Sequence, residues 1–353
     1  MKRISYYEGT RTFFCMLVIV SHIFMAFYPD APKQFVSMGN LAVIYFFFLS
    51  GGVLGLSTYK GIDKRPFCWC NIINYVIKRY FRLLPVVAIS LLISTFIYRV
   101  DGYACQELSQ KFELNKLLEY FPQGISEIEG FYDAFVGAFY RRPRLNAPLW
   151  TIRYEFLGSI FVYIIMKLFC DKKCRMYIYP LLICLLLFLD IYVASMYTGM
   201  VLFDLLYSNK ERSDKIKCVL SRFNYIIIML IMLTVVLLLI GKYAIYFRYA
   251  LTLELMLLIF SSETLQRGLS NKVFVRLSKY TFSVYATHWL VICSVVAGLI
   301  NICSEQDNYM IVSIVISIIC IPIIWGVGAL MYILCEKPAA DMIYRIIKKR
   351  NKK

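Results

Sequence analysis

Arg11 and His22 stand eleven positions apart in Arg11-Thr-Phe-Phe-Cys-Met-Leu-Val-Ile-Val-Ser-His22. On a helix, eleven steps of 100° make three turns plus about 20°, so both side chains leave the same face, about 16 Å apart along the axis. The residues between them are apolar, so the segment reads as a membrane span with a cation at one edge and an imidazole near mid-bilayer. The chain has 2 histidines, His22 and His288, and both fall in apolar spans. An ionisable group there is costly and marks a functional site, unless it serves only as a hydrogen bond between helices. An imidazole held in that place is suited to general base chemistry.

Four further clusters carry polar chemistry. Lys78-Arg79-Tyr-Phe-Arg82-Leu-Leu-Pro85 puts two guanidinium forks on one helix face where a basic loop becomes a span. Such forks fit phosphate oxygens; the plain alternative is anchoring at the membrane edge. In Pro148-Leu-Trp-Thr-Ile-Arg-Tyr-Glu155, Pro148 suits a helix start, Trp150 an interface, and Glu155 lies about 9 Å inside the span. Counted from the opposite edge, His22 lies about 15 Å deep, so the two meet in the outer half of a core about 30 Å thick. There a carboxylate would orient the imidazole, or else pair with an arginine such as Arg153 and hold helices together. Tyr280-Thr-Phe-Ser-Val-Tyr-Ala-Thr-His288 sets Ser283 and Tyr285 near the second histidine, as a site or as packing. Cys335-Glu336-Lys337-Pro338 ends the last span, with Glu336 placed to pair with Arg79 or Arg82.

The elements that must position these groups follow from composition. Of 353 residues, 60% are hydrophobic and 17% charged, more apolar surface than a soluble core can absorb. Apolar runs predict ten spans, at about 12–28, 40–57, 83–100, 149–169, 176–191, 193–207, 223–241, 243–261, 280–300 and 309–334. The stretch 178–207 is too long for one crossing and reads as two short spans hinged near Asp190. With that count, the loops rich in Lys and Arg fall on one side, along with both termini and the basic tail of about 337–353. These loops include Lys64, Arg65, Lys172 and Lys173. The formal net charge of +17 is therefore a signal of topology and of attraction to anionic lipid, and not a nucleic-acid footprint. No small-residue cleavage site follows the first span, so it is expected to be retained. The loop 101–148, with seven acids against five bases, is the one sizeable extramembrane segment and too short for a domain of its own. The fold class is thus all-α, a polytopic helix bundle of one domain over 1–353. Twelve cysteines are scattered. Cys68-Trp-Cys70 and Cys170-Asp-Lys-Lys-Cys174 lack histidine partners, so no metal is expected. Cys105 and Cys303 are candidates for a pair on the outer side.

In this order the motifs resemble the integral-membrane acyltransferase type 3 family, which includes bacterial glycan O-acetyltransferases. Arg11-x10-His22 is similar to its signature. Tyr45-Phe-Phe-Phe-Leu-Ser-Gly51 is similar to its Phe-Phe-x-Leu-Ser-Gly stretch, and Arg79-Tyr-Phe-Arg82-Leu-Leu-Pro85 to its arginine cluster. Leu149-Trp-Thr-Ile-Arg-Tyr-Glu155 resembles Leu-Trp-Ser-Leu-x-x-Glu, with Arg153 departing from the family pattern. Ser283-Val-Tyr-Ala-Thr-His288 and Glu336-Lys-Pro338 resemble its last two motifs. The resemblance implies transfer of an acetyl or other short acyl group from cytoplasmic acyl-CoA, acetyl-CoA above all, to a hydroxyl of a surface or lipid-linked glycan, in a multi-pass protein of the plasma or inner membrane. It implies His22, Glu155 and His288 as catalytic residues and Arg11, Arg79 and Arg82 as the holders of the donor nucleotide. The rival reading is a transporter or exporter of glycan intermediates, which would also place polar groups at mid-membrane; no inverted repeat or pair of Gly/Pro-broken spans supports it.

Overall fold

The structure is a computed structural model, and it describes residues 4–28, 31–61, 69–114, 117, 124–169, 174–240 and 244–350. Lys64, Arg65, Lys172, Lys173, Cys68 and Cys170 lie outside the described residues. Among the described residues the chain is all helical, without strands. The helices are α1 (Ser5–Phe27), α2 (Lys33–Gly61), α3 (Trp69–Arg99), α4 (Cys105–Phe112), α5 (Glu127–Phe135), α6 (Ile152–Phe169), α7 (Arg175–Leu189) and α8 (Ile191–Tyr207). Then follow α9 (Lys210–Arg222), α10 (Asn224–Ile240), α11 (Ala244–Ser261), α12 (Glu263–Leu269) and α13 (Lys272–Leu277). The chain ends with α14 (Thr281–Val291), α15 (Ala297–Cys303), α16 (Tyr309–Met331) and α17 (Lys337–Arg350). A π turn, Ile292–Val296, joins α14 to α15, and a second, Tyr332–Glu336, joins α16 to α17.

A helix stands at each of the ten predicted ranges, yet among the described residues six are long and apolar enough to cross a membrane, or up to seven if the bent pair α8 and α9 is one span. The difference has local causes. Three charges, Arg153, Glu155 and Lys167, fall within the 18 residues of α6. The apolar helices Arg175–Leu189 and Asn224–Leu239 are short. Their surfaces nevertheless suit lipid: Phe188 is 87% exposed, and Met229, Met232 and Leu233 also face outward. Apolar surface on this scale is unfavourable in water and neutral in hydrocarbon.

The break expected near Asp190 is there. Its backbone leaves the helical region at φ −160° and ψ 117°, and its Oδ1 accepts from the amides of Tyr192 and Val193, capping α8. Asp204, buried on α8, ties this hairpin to α7: it accepts from the Tyr179 hydroxyl at 2.9 Å and meets the Arg175 Nε at 3.4 Å.

The chain divides into two compact units, one of Met1–Phe14, Asn40–Tyr75 and Tyr154–Ser278, the other of Cys15–Gly39, Val76–Arg153 and Lys279–Lys353. In the first, α2 and α8 approach until their backbones touch. A Cβ on Gly51 would lie 1.7 Å from the Met196 carbonyl oxygen, and one on Gly199 would lie 1.8 Å from that of Phe48. Small residues permit such crossings in lipid, where dispersion rather than water drives association. Gly51→Ala therefore has to part the two helices, because the obstacle is backbone. The expected cost is about 1–3 kcal/mol or more, read as an earlier thermal transition of the purified protein. Gly326→Ala, whose Cβ would meet nothing within 4 Å, leaves that transition in place.

The second unit includes the segment 101–148, stitched by ion pairs. Asp133 accepts from Arg141 at 2.7 Å and from the Arg144 amide at 2.9 Å, while Arg144 Nη1 reaches Glu129 at 3.0 Å. Lys111 donates to the carbonyls of Asn301, in the last turn of α15, and of Ser304 just beyond it. Cys105 contacts Cys293 and is not bonded to Cys303; all three are free thiols. Glu129 closes a capping box at the start of α5, accepting from the Ser126 amide. That amide, and then the Arg144 guanidinium, hold its carboxyl below its ordinary 4.5. A depressed carboxylate stabilises above the unfolded-chain value and loses that contribution as pH falls through the folded one. The protection of amides at the start of α5, taken relative to their intrinsic exchange rates, is thus expected to fall in acid, and Glu129→Gln to remove most of that pH dependence.

Candidate active site

His22 rides on α1, which is unbroken from Arg11 to the histidine. Cys15, Val18, Ile19, Ile23 and Ala26 around it are buried, a period that turns one face of the helix inward. His288 lies on α14 between the buried Thr287 and Trp289. The two rings meet: His288 Nε2 stands 3.0 Å from His22 Nδ1, with ring centroids 4.9 Å apart. Trp289 meets the His22 ring edge-on at 5.5 Å. His288 is fully buried, whereas His22, though densely surrounded, keeps part of its surface open.

Hydrogen-bond chemistry fixes the tautomers. His288 Nδ1 lies 2.6 Å from the Tyr285 carbonyl oxygen, which can only accept, so this nitrogen carries the proton. In the neutral ring Nε2 is then an acceptor, and the proton between the two rings belongs to His22 Nδ1. The lone pair of His22 is left on Nε2. A neutral imidazole with its proton at Nδ1 has its lone pair at Nε2, the form that general base chemistry requires.

The Tyr285 turn is itself held from outside the helix. The Tyr285 hydroxyl donates to the Pro148 carbonyl at 2.6 Å and lies 2.9 Å from Thr151 Oγ1. Asn146 donates to the Ala286 carbonyl at 2.8 Å and to Ser90 Oγ at 2.7 Å, and Ser90 donates to the same carbonyl at 2.6 Å. Asn146 is buried with φ +56°, a strained position for a residue with a side chain. The Pro148–Thr151 motif and the Ser283–His288 motif are therefore one constellation. Neither Asn146 nor Ser90 was singled out in the sequence; a left-handed asparagine next to Ala-Pro leaves no periodic mark. The π turn Ile292–Val296 begins one turn after His288, and the second ends at Glu336. Such insertions re-aim side chains and recur at functional sites.

The remaining predicted residues have their own partners. Glu155, in the first unit, accepts from Ser50 Oγ at 2.6 Å, joining the aromatic motif of α2 to the start of α6. Arg11 lies 3.9 Å from Glu8, and Glu8 accepts from Ser278 at 2.9 Å. Glu8 and Ser50 were not foreseen. Arg79 is buried at 7% exposure on α3, and Arg82 is exposed less than one turn later. Glu336 accepts from Ser283 at 2.6 Å, with Arg82 the cation whose field reaches it.

A family model described as an acyltransferase domain, that of the type 3 acyltransferases, matches residues 4–329, nearly the whole chain. No match was found among curated proteins or among solved structures. The match takes in the histidine pair, Glu155 and the arginines in one stretch, and with it the protein belongs to the acyltransferase type 3 family.

Proposed function

We propose that the protein moves an acetyl or other short acyl group from cytoplasmic acyl-CoA to a hydroxyl of a surface or lipid-linked glycan, with His22 as the base. The observation that carries this reading is the 3.0 Å contact between the histidines together with the commitment of His288 Nδ1 to a carbonyl. In this mechanism His22 Nε2 takes the proton of the acceptor hydroxyl as its oxygen attacks the thioester carbonyl. The C–S bond breaks, the new ester forms, and the proton passes from His22 to the departing thiolate. His288 Nε2, accepting from His22 Nδ1–H, stabilises the transient imidazolium and keeps the ring turned. Glu155, whose carboxylate accepts from Ser50, is assigned an assisting role.

Arg11, Arg79 and Arg82 are assigned to the donor's phosphates. Arg11 and His22 are separated along α1 by about 16 Å, comparable to the reach of a pantetheine arm. Our reading keeps ten crossings, with both termini on the basic, cytoplasmic side of the plasma or inner membrane. Its support is the presence of helix at each apolar run and the alternation of loop charge.

The test uses purified protein with radiolabelled acetyl-CoA and extracted glycan lipid. Label on the glycan is the expected result. Movement of unmodified glycan lipid across a vesicle membrane, without label transfer, would favour a transporter. Mass spectrometry of surface glycans with and without the gene then identifies the acyl group by its mass increment and the sugar by fragmentation.

A further inference from the structure

One cavity in the second unit is not used by this mechanism. It has a volume of about 540 Å³ and opens between the start of α14 and the junction of α16 with α17. Lys279, Lys337 and Arg345 line it, against a single carboxylate, Asp341. None of the three cations forms an ion pair among the described residues. The Lys279 ammonium lies 4.6 Å over the Tyr280 ring, which meets Tyr332 edge-on at 5.2 Å. The volume is that of a small-molecule site, and the lining of three cations and two phenols suits a phosphate ester.

The flank of the cavity identifies the kind of phosphate. Ile333 and Met342 belong to its wall, and with neighbouring Leu334 they are more than half exposed. All three lie within the candidate span Tyr309–Ile343. A soluble phosphate would use the cations alone; an amphiphile uses the cations and the lipid-facing flank together. The next helix, α17, continues past Arg345 with Lys348, Lys349 and Arg350 in its sequence. Basic clefts between helix ends at a membrane surface are built for anionic headgroups. We infer that this cleft holds the phosphate headgroup of an anionic phospholipid from the adjoining leaflet, with the acyl chains on the Ile333–Leu334 flank. The site is separate from the histidine pair and does not depend on the transfer reaction.

The test compares the full chain in phosphatidylglycerol and phosphatidylcholine nanodiscs. After extraction into mild detergent, native mass spectrometry is expected to find phosphatidylglycerol retained on the wild type. The triple variant Lys279→Ala, Lys337→Ala, Arg345→Ala is expected to bind it about a hundredfold more weakly, at about fivefold per cation near the surface. Amine labelling of Lys279 and Lys337 in the wild type gives a readout that needs no variant to fold: phosphatidylglycerol should protect both, and phosphatidylcholine should not. Equal retention by the wild type and the triple variant overturns the proposal. So does protection by acyl-CoA in phosphatidylcholine nanodiscs without protection by phosphatidylglycerol, which would make the cleft a nucleotide site. Loss of acyl transfer with lipid retention intact would count against the proposed reaction and leave this site standing.

Discussion

An alanine at position 22 lowers kcat/KM for acyl transfer by about a hundred- to ten-thousandfold, the span of a positioned general base. Expression and membrane insertion stay at wild-type levels, because His22 is one partly open side chain on a long apolar helix. The loss falls on kcat rather than on KM for the acyl donor, since the proton is taken only as the new bond forms. His288 is a positioning residue in this scheme, and its variants separate that role from simple packing. His288→Ala removes the acceptor that holds His22 Nδ1–H, whereas His288→Gln supplies an amide oxygen that can accept the same proton. Activity is expected to order wild type, His288→Gln, His288→Ala, His22→Ala. Initial rates with labelled acetyl-CoA measure it. A His22→Ala variant with more than a tenth of wild-type activity would sink the base assignment, and equal activity of the two His288 variants would reduce His288 to packing.

That pair was legible in the sequence as two separate residues, and the reason it could not be read as a pair is physical. Periodicity places a side chain on a face of its own helix; it says nothing of which faces of distant helices meet. The eleven-step spacing of Arg11 and His22, the hinge at Asp190 and the helix at each apolar run are consequences of rise, twist and hydrophobicity, all local. Asn146 bonding to the Ala286 carbonyl, Ser50 to Glu155 and Ser278 to Glu8 join residues 105 to 270 positions apart, and their hydroxyls and amides look like ordinary loop or span residues in sequence. The shortfall in span count has the same origin. A helix loaded with Arg153, Glu155 and Lys167 ceases to look apolar once its polar groups are counted, although a polar group inside a bundle is tolerated where it finds a partner. Of the three, Glu155 is the one to which the proposed reaction assigns a role.

The second large effect concerns the arginines. Arg82→Ala is expected to raise KM for acyl-CoA about 10- to 100-fold with kcat nearly unchanged, the value of one charge-assisted hydrogen bond to phosphate at about 1.5–3 kcal/mol. Arg82 is exposed, so stability should move little, and Arg82→Lys should recover part of the loss because the charge survives without the fork. Arg79→Ala carries the same kinetic signature plus a fall in thermal stability, since a buried guanidinium is part of the packing it sits in. Arg11 behaves differently. Its removal leaves Glu8, 13% exposed and still held by Ser278, with an uncompensated carboxylate beside the proposed donor path. With Arg11 gone, the repulsion of the phosphates by the Glu8 carboxylate adds to the lost attraction. Arg11→Ala is therefore expected to raise the donor KM more than Arg82→Ala does, and Glu8→Gln in the Arg11→Ala background to restore part of it. The cycle of single and double variants, measured as KM for acetyl-CoA, isolates that coupling. No change in KM on Glu8→Gln in the Arg11→Ala background would move the phosphates away from Arg11.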